Sequence, residues 1–286
     1  MFQNLILKIL VTLHGLGAAS GIVAVDNQIY VVADDRAYLY QYNQKNKTQN
    51  SYAFDTKIPI LEMTRKDKLD FEALTYANGN LLALGSGSKE NRNQLHQFNL
   101  KDQSVSRYDI SDTYETLRNQ FAIDVKDFNI EGFIYHQKKS YLFNRGNGKN
   151  KRNGIFIFEG LPHDTKLSKA VFVPIQLPTI KNELTTFSDA IIVKNKIIFT
   201  ATIEVESTIQ KDGEVRESII GIMNRKTFAI EKYHVISENQ KIEGITLLDQ
   251  SKEGFTFLLC EDNDDATLDQ SNIYELKMSK DFDLIK

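Results

Sequence analysis

Ile130-Glu131-Gly132-Phe133 and Ile242-Glu243-Gly244-Ile245 are two copies of one short pattern. Three further segments answer to them: Ser20-Gly21-Ile22-Val23, Phe71-Glu72-Ala73-Leu74 and Ser188-Asp189-Ala190-Ile191. Their first polar residues, Ser20, Glu72, Glu131, Ser188 and Glu243, follow one another at intervals of 52, 59, 57 and 55 residues. A self-similar period of this length is the mark of a solenoid or a propeller. Each segment opens a series of short runs rich in β-branched and aromatic residues, separated by turn residues. In the first repeat these are Gly21 to Val25, Ile29 to Ala33, Ala37 to Tyr42 and Ser51 to Phe54. Four such runs per repeat make one propeller blade.

The expected architecture is therefore all-β: a five-bladed β-propeller with four antiparallel strands per blade. One domain spans 1–286, with blades near 19–55, 70–110, 129–178, 187–236 and 241–279. The fifth repeat is one strand short, and the apolar stretch Leu5 to Leu13 supplies it. Pairing that N-terminal segment (4–13) as the outer strand of the last blade closes the ring and removes an unpaired junction. A helix is expected only over Asp112 to Phe121, between blades two and three, where Asp112 and Glu115 read as a capping box.

Composition narrows the function classes. With 41% hydrophobic and 26% charged residues the chain has the balance of a folded globular protein. A net charge of −3 offers no broad basic field, so nucleic acid is not expected as a partner. The single cysteine, Cys260, excludes an internal disulfide framework and reads as a buried thiol among Phe257, Leu258 and Leu259. Leu5 to Leu13 is too short to cross a bilayer, and no Lys or Arg precedes it as in an export signal. No membrane association and a cytoplasmic location are expected; the oligomeric state is left open.

In a propeller the first strand of each blade lines the central channel, so the five repeat positions converge on one axis. Three carboxylates there would repel and take up protons unless a cation offset them. Ser20, Glu72, Glu131, Ser188 and Glu243 offer only oxygen donors, which suits a hard cation of the calcium type. The other reading is that these residues plug the channel and hydrogen-bond one another or water. A second set follows from hairpin geometry, because the end of the second strand lies beside the start of the first. It comprises Asp34, Ser86, Arg145, Thr202 to Glu204, and Glu261 with Asp262. These should rim the channel mouth, where Arg36, Arg92 and Arg145 could grip phosphate or carboxylate. Each arginine could also serve a structural salt bridge, the preferred reading for Arg36 and Arg92.

These residues together resemble the calcium-activated nucleotidase (apyrase) family of five-bladed propellers. The likeness runs through Ser20, Ile29-Tyr30, Asp34-Asp35-Arg36, Glu72, Tyr114 with Leu117-Arg118, Glu131, Arg145, Ser188, Glu204 and Glu243-Gly244-Ile245. More loosely the chain resembles bacterial propellers without an assigned reaction and phytase-like propellers. The resemblance implies one Ca²⁺ held by Ser20, Glu72, Glu131, Ser188 and Glu243. It further implies hydrolysis of a small phosphorylated substrate such as a nucleoside di- or triphosphate. Asp34, Asp35 and Glu204 would then position water, and Arg36, Ser86, Arg92, Arg145 and Asp262 would bind substrate. The alternative is a non-catalytic binding propeller braced by a structural calcium.

Two tempting motifs fail. The acidic run from Glu261 to Asp269 has Thr267 and Ile273 where an EF-hand needs Gly and Glu. Gly85-Ser86-Gly87-Ser88 lacks the Lys-Ser/Thr of a phosphate loop and reads as a tight turn.

Overall fold

The computed structural model describes residues 7–55, 63–64, 66–146, 148–164, 167, 169–204, 215–263 and 269–283. Five four-stranded antiparallel sheets form the molecule. Blade one holds β1's successors β2 (Ala19–Val25), β3 (Gln28–Ala33), β4 (Tyr38–Asn43) and β5 (Thr48–Ala53); β1 itself is Lys8–His14. Blade two holds β6 (Phe71–Ala77), β7 (Asn80–Gly85), β8 (Gln94–Asn99) and β9 (Val105–Asp109), followed by helix α1 (Ser111–Phe121). Blade three holds β10 (Ile130–His136), β11 (Lys139–Asn144), β12 (Gly154–Glu159) and β13 (Val171–Pro174). A two-stranded hairpin, β14 (Thr179–Ile180) and β15 (Glu183–Leu184), leads into blade four: β16 (Thr186–Val193), β17 (Lys196–Glu204), β18 (Val215–Asn224) and β19 (Ile230–Ser237). Blade five is β20 (Lys241–Gln250), β21 (Gly254–Asp262) and β22 (Gln270–Ser279), with β1 paired antiparallel to β22.

The first strands β2, β6, β10, β16 and β20 touch one another in sequence, and β20 returns to β2. They are therefore the inner strands of a closed ring, and β1 completes it as the outer strand of blade five. The sequence places this closing strand at Leu5 to Leu13; the described strand begins at Lys8, and residues 1–6 lie outside the described residues.

The core follows the same symmetry, with one hydrophobic cluster in each space between neighbouring blades. Alternate residues of a middle strand serve two different clusters. In β21, Phe255, Phe257 and Leu259 pack toward blade four, while Leu258 and Cys260 pack toward blade one. Because both faces of such a strand are buried, its sequence reads as a continuous apolar run rather than an alternation. The thiol of Cys260 is buried there, as expected.

Helix α1 fills the space between blades two and three through Tyr114 and Leu117. The expected capping box does not form. The N-cap position is Ile110, without a side-chain cap, and the Ser111 N–H instead donates to Asp109 Oδ1 at 2.8 Å. The helix starts one residue earlier than expected, because Asp109, fixed at the end of β9, reaches the free N–H groups first. Tyr114 is wholly buried and its hydroxyl donates to the Gly85 carbonyl at 2.7 Å. Tyr114→Phe should remove that bond and cost about 1–2 kcal/mol, measured as a lowered midpoint in chemical unfolding. The same ring forces Gly87, at φ +75°, to lack a side chain, since a Cβ there would stand 2.7 Å from Tyr114.

Candidate cation-binding channel

Each inner strand pairs with its neighbour through a register shift, and the shift falls at the same repeat position in all five blades. It lies between Ala19 and Gly21, Phe71 and Ala73, Ile130 and Gly132, Phe187 and Asp189, and Ile242 and Gly244. Ser20, Glu72, Glu131, Ser188 and Glu243 are thus the bulge residues. A bulge takes one residue out of the ladder and re-aims its side chain. Here it does so once per blade at the start of the inner strand. The residue after the bulge is small in four blades because the inner strands nearly touch. A Cβ on Gly21 would lie 2.8 Å from the Leu74 nitrogen, and one on Gly244 would lie 3.2 Å from the Ile22 nitrogen.

The two serines bind the blades together. Ser20 Oγ donates to the Phe71 carbonyl at 2.6 Å, and Ser188 Oγ to the Ile242 carbonyl at 2.7 Å. Each therefore caps the residue just before the next blade's glutamate. Their hydroxyl protons are committed to the backbone, and an oxygen lone pair remains for a cation.

Every channel glutamate has a cationic neighbour. Glu131, 2% exposed, lies 3.2 Å from Arg145 Nη1 and accepts from Asn129 Nδ2 at 2.5 Å. Glu243, also 2% exposed, lies 3.1 Å from Lys241 Nζ, which also pairs with Asp262 at 2.8 Å. Glu72 is half-buried; burial first, then Glu131, Asp70 and Asp34, push its carboxyl well above the usual range, and Lys68 only partly offsets them.

At the mouth, Asp34 ion-pairs with Lys68, which also meets Asp70 at 2.9 Å. Oxygens of Asp34, Asp70 and Glu72 lie within 4.8 Å of one another. Burial raises the Asp34 carboxyl, against the pull of Lys68 and with help from Asp262 and Asp70. Ser86 Oγ and Arg92 Nη1 both converge on Asp70 Oδ2, at 2.5 and 2.6 Å. Arg36 pairs with Asp35 at 3.5 Å and with Asp269 at 2.8 Å. Glu204 ends β17 at the same end of blade four, and its side chain lies outside the described residues.

Glu261 departs from its expected place beside Asp262 on the rim. It is buried and accepts from Asn272 Nδ2 at 2.6 Å and from the Tyr274 hydroxyl at 2.5 Å. Adjacent strand residues face opposite sides of a sheet, so Asp262 and Glu261 cannot both line the mouth.

The sequence reading missed Lys68, Asp70, Asp189 and Lys241. Asp189 occupies the position that is Gly or Ala in the other blades, and that departure was its signal. Its carboxylate accepts from the Ala190 N–H at 2.7 Å and from the Ile245 N–H of blade five at 2.8 Å. Burial nonetheless pushes its pKa well up, opposed by those two bonds and aided by Glu243 and Glu131. Of the described residues named above at the channel and mouth, nine carboxylates stand beside five cations. The carboxylates are Asp34, Asp35, Asp70, Glu72, Glu131, Asp189, Glu243, Asp262 and Asp269, and the cations Arg36, Lys68, Arg92, Arg145 and Lys241.

Residues 15–278 match the model of a family described as "Family of unknown function (DUF6929)". The chain belongs to that family. No curated protein matches this DUF6929 chain. Among solved structures it is similar to YjhT, at 12% identity and a TM-score of 0.50, covering 97% of this chain and 98% of that one. It is also similar to the RRP9 WD40 repeats, at 8% identity and a TM-score of 0.46, covering 100% and 85%. The nidogen/laminin complex matches at 6% identity and a TM-score of 0.47, covering 92% and 76%. At these identities the likeness to YjhT speaks for the fold alone, and the other two carry no argument. Among the described residues of the DUF6929 chain, no helix is long and apolar enough to cross a membrane.

Proposed function

We propose that this propeller binds one hard divalent cation in its channel, calcium by donor chemistry, and hydrolyses a small phosphorylated substrate at the mouth. The observation that carries the cation is the excess of carboxylate over cationic groups around the five bulge residues. If all nine carboxylates ionise, four negative charges are left over, and a divalent ion offsets half of them. Burial, with neighbouring carboxylates adding to it, raises the Glu72 and Asp189 carboxyls, a cost that a cation bound beside them would relieve. By chemistry the donors suit it: Glu72, Glu131 and Glu243 supply carboxylate oxygens, and Ser20 and Ser188 retain lone pairs, while among the described residues the carboxylates gathered at ligand spacing are Glu72 with Asp34 and Asp70. Bound there, the ion would supply Lewis-acid polarisation of a phosphoryl oxygen.

The chain's own residues do the rest. In this reading Asp34, Asp35 and Glu204 are the groups assigned to orient water, and Ser86 and Asp262 those assigned to hold the substrate. The apyrase resemblance supports a nucleoside di- or triphosphate as that substrate. A second reading has one observation in its favour: Arg36, Arg92 and Arg145 are already ion-paired with Asp35, Asp70 and Glu131. On that reading the cation braces the channel and the mouth binds a ligand without turning it over.

Thermal melting and phosphate release, each with Ca²⁺ and with EDTA, separate these readings. A cation present at about a hundredfold its Kd stabilises by about 2.7 kcal/mol. For a chain of this size chelation should then lower Tm by roughly 4–5 °C, and Glu131→Gln should erase that response. Calcium-dependent phosphate release from a nucleotide panel supports the hydrolase. A calcium-dependent Tm without release supports the brace, and a chelator that changes neither sinks the cation.

A further inference from the structure

Asp34, Asp70 and Glu72 come from two different blades, yet each places an oxygen within 4.8 Å of the other two, the spacing of donors around one cation. Asp70 cannot move away. It is 3% exposed, sits at φ +55°, and is anchored by Ser86 and by Arg92. An independent feature is the group already seated among them. The Lys68 ammonium pairs with Asp34 and, at 2.9 Å, with Asp70, and its side chain is only 19% exposed. Burial alone would lower that ammonium, whereas Asp34, Asp70 and Glu72 together hold it above its ordinary value.

We infer that Lys68 is a tethered cation filling this three-carboxylate cradle, and that it keeps a second divalent ion out. A lysine head is a compact point charge carried on a flexible stem, so it can occupy the place of an ion. It gives the cradle one positive charge rather than two, and leaves the remaining negative charge of Glu72 directed to the channel. The number of ions bound per chain is then set by Lys68. This goes beyond the channel-cation reading and does not depend on it, because the cradle is tested by what its lysine excludes.

The test is calcium stoichiometry by equilibrium dialysis, together with melting in calcium and in EDTA, on the wild type, Lys68→Met and Lys68→Arg. Lys68→Met should bind one calcium more than the wild type and should show a larger calcium-induced rise in Tm. A variant that folds only when calcium is added meets the same expectation. Lys68→Arg should gain nothing, and adding Asp34→Asn to Lys68→Met should abolish the extra equivalent. The inference is overturned if Lys68→Met folds and takes up no more calcium than the wild type, if it stays unfolded at saturating calcium, or if Lys68→Arg gains the site. A wild type that binds none while Lys68→Met binds one would sink the channel cation and leave the tethered lysine standing.

Discussion

Leu13→Ala is expected to destabilise the protein by about 2–5 kcal/mol, the cost of emptying a fully buried leucine site. Leu13 is 0% exposed and lies in the cluster between blades five and one, with Leu16, Ile29, Tyr40 and Ile273. It belongs to β1, the strand that closes the ring from the far end of the chain. Its loss therefore loosens the contact that prevents blade five from opening. Leu10→Ala on the same strand is the control, since Leu10 is 38% exposed and its truncation should stay within about 0.5 kcal/mol. The two variants compared by urea unfolding give the measurement. Similar effects for both would mean that β1 does not close the ring through its buried face.

Acid should destabilise the protein through His96. Its ring is buried between Phe54 of blade one and Phe71 of blade two, edge-on to both at centroid distances of 5.2 and 4.9 Å. Burial, helped by the Arg107 charge, lowers its pKa to about 3. The unfolded chain takes up this proton near pH 6.5 and the folded chain does not. Unfolding therefore binds a proton across that window. The stability due to neutral His96 is whole above about pH 6.5 and falls as pH drops toward 3, by up to about 1.4 kcal/mol per unit. His96→Phe keeps the aromatic packing and removes the titration, so its stability should fall less steeply between pH 6.5 and 4.5. Parallel curves for the two chains, from urea midpoints at several pH values, would place the acid sensitivity elsewhere.

Glu72 and Lys68 mark the boundary of what could be read in advance. Glu72 was legible because the repeat puts it at the same place as Glu131 and Glu243, and periodicity is a local property of the chain. Lys68, Asp70 and Lys241 were not, because nothing in their spacing says which charged group of a neighbouring strand or blade they meet. Asp34 and Lys68 are thirty-four residues apart, and only the packing of blade one against blade two makes them an ion pair. The misplaced Glu261 has the opposite cause. Counting along the hairpin located its strand end but not its face, and a single residue's difference in pleat decides between mouth and core.

The amino-acid sequence by itself determined the blade count, the strands of each blade, the closing role of the N-terminal strand and the five polar positions at the axis. All of these follow from patterns repeated along the chain. The tertiary structure alone decided that those five positions are β-bulges, that the serines tie neighbouring blades, and that a cation stands near each glutamate. It also decided that Leu13 rather than Ile9 reaches the core, through a register shift between Ile9 and Val11. A bulge depends on the partner strand as much as on its own residues, and an ion pair across blades depends on closing the ring. Neither is written in any one segment.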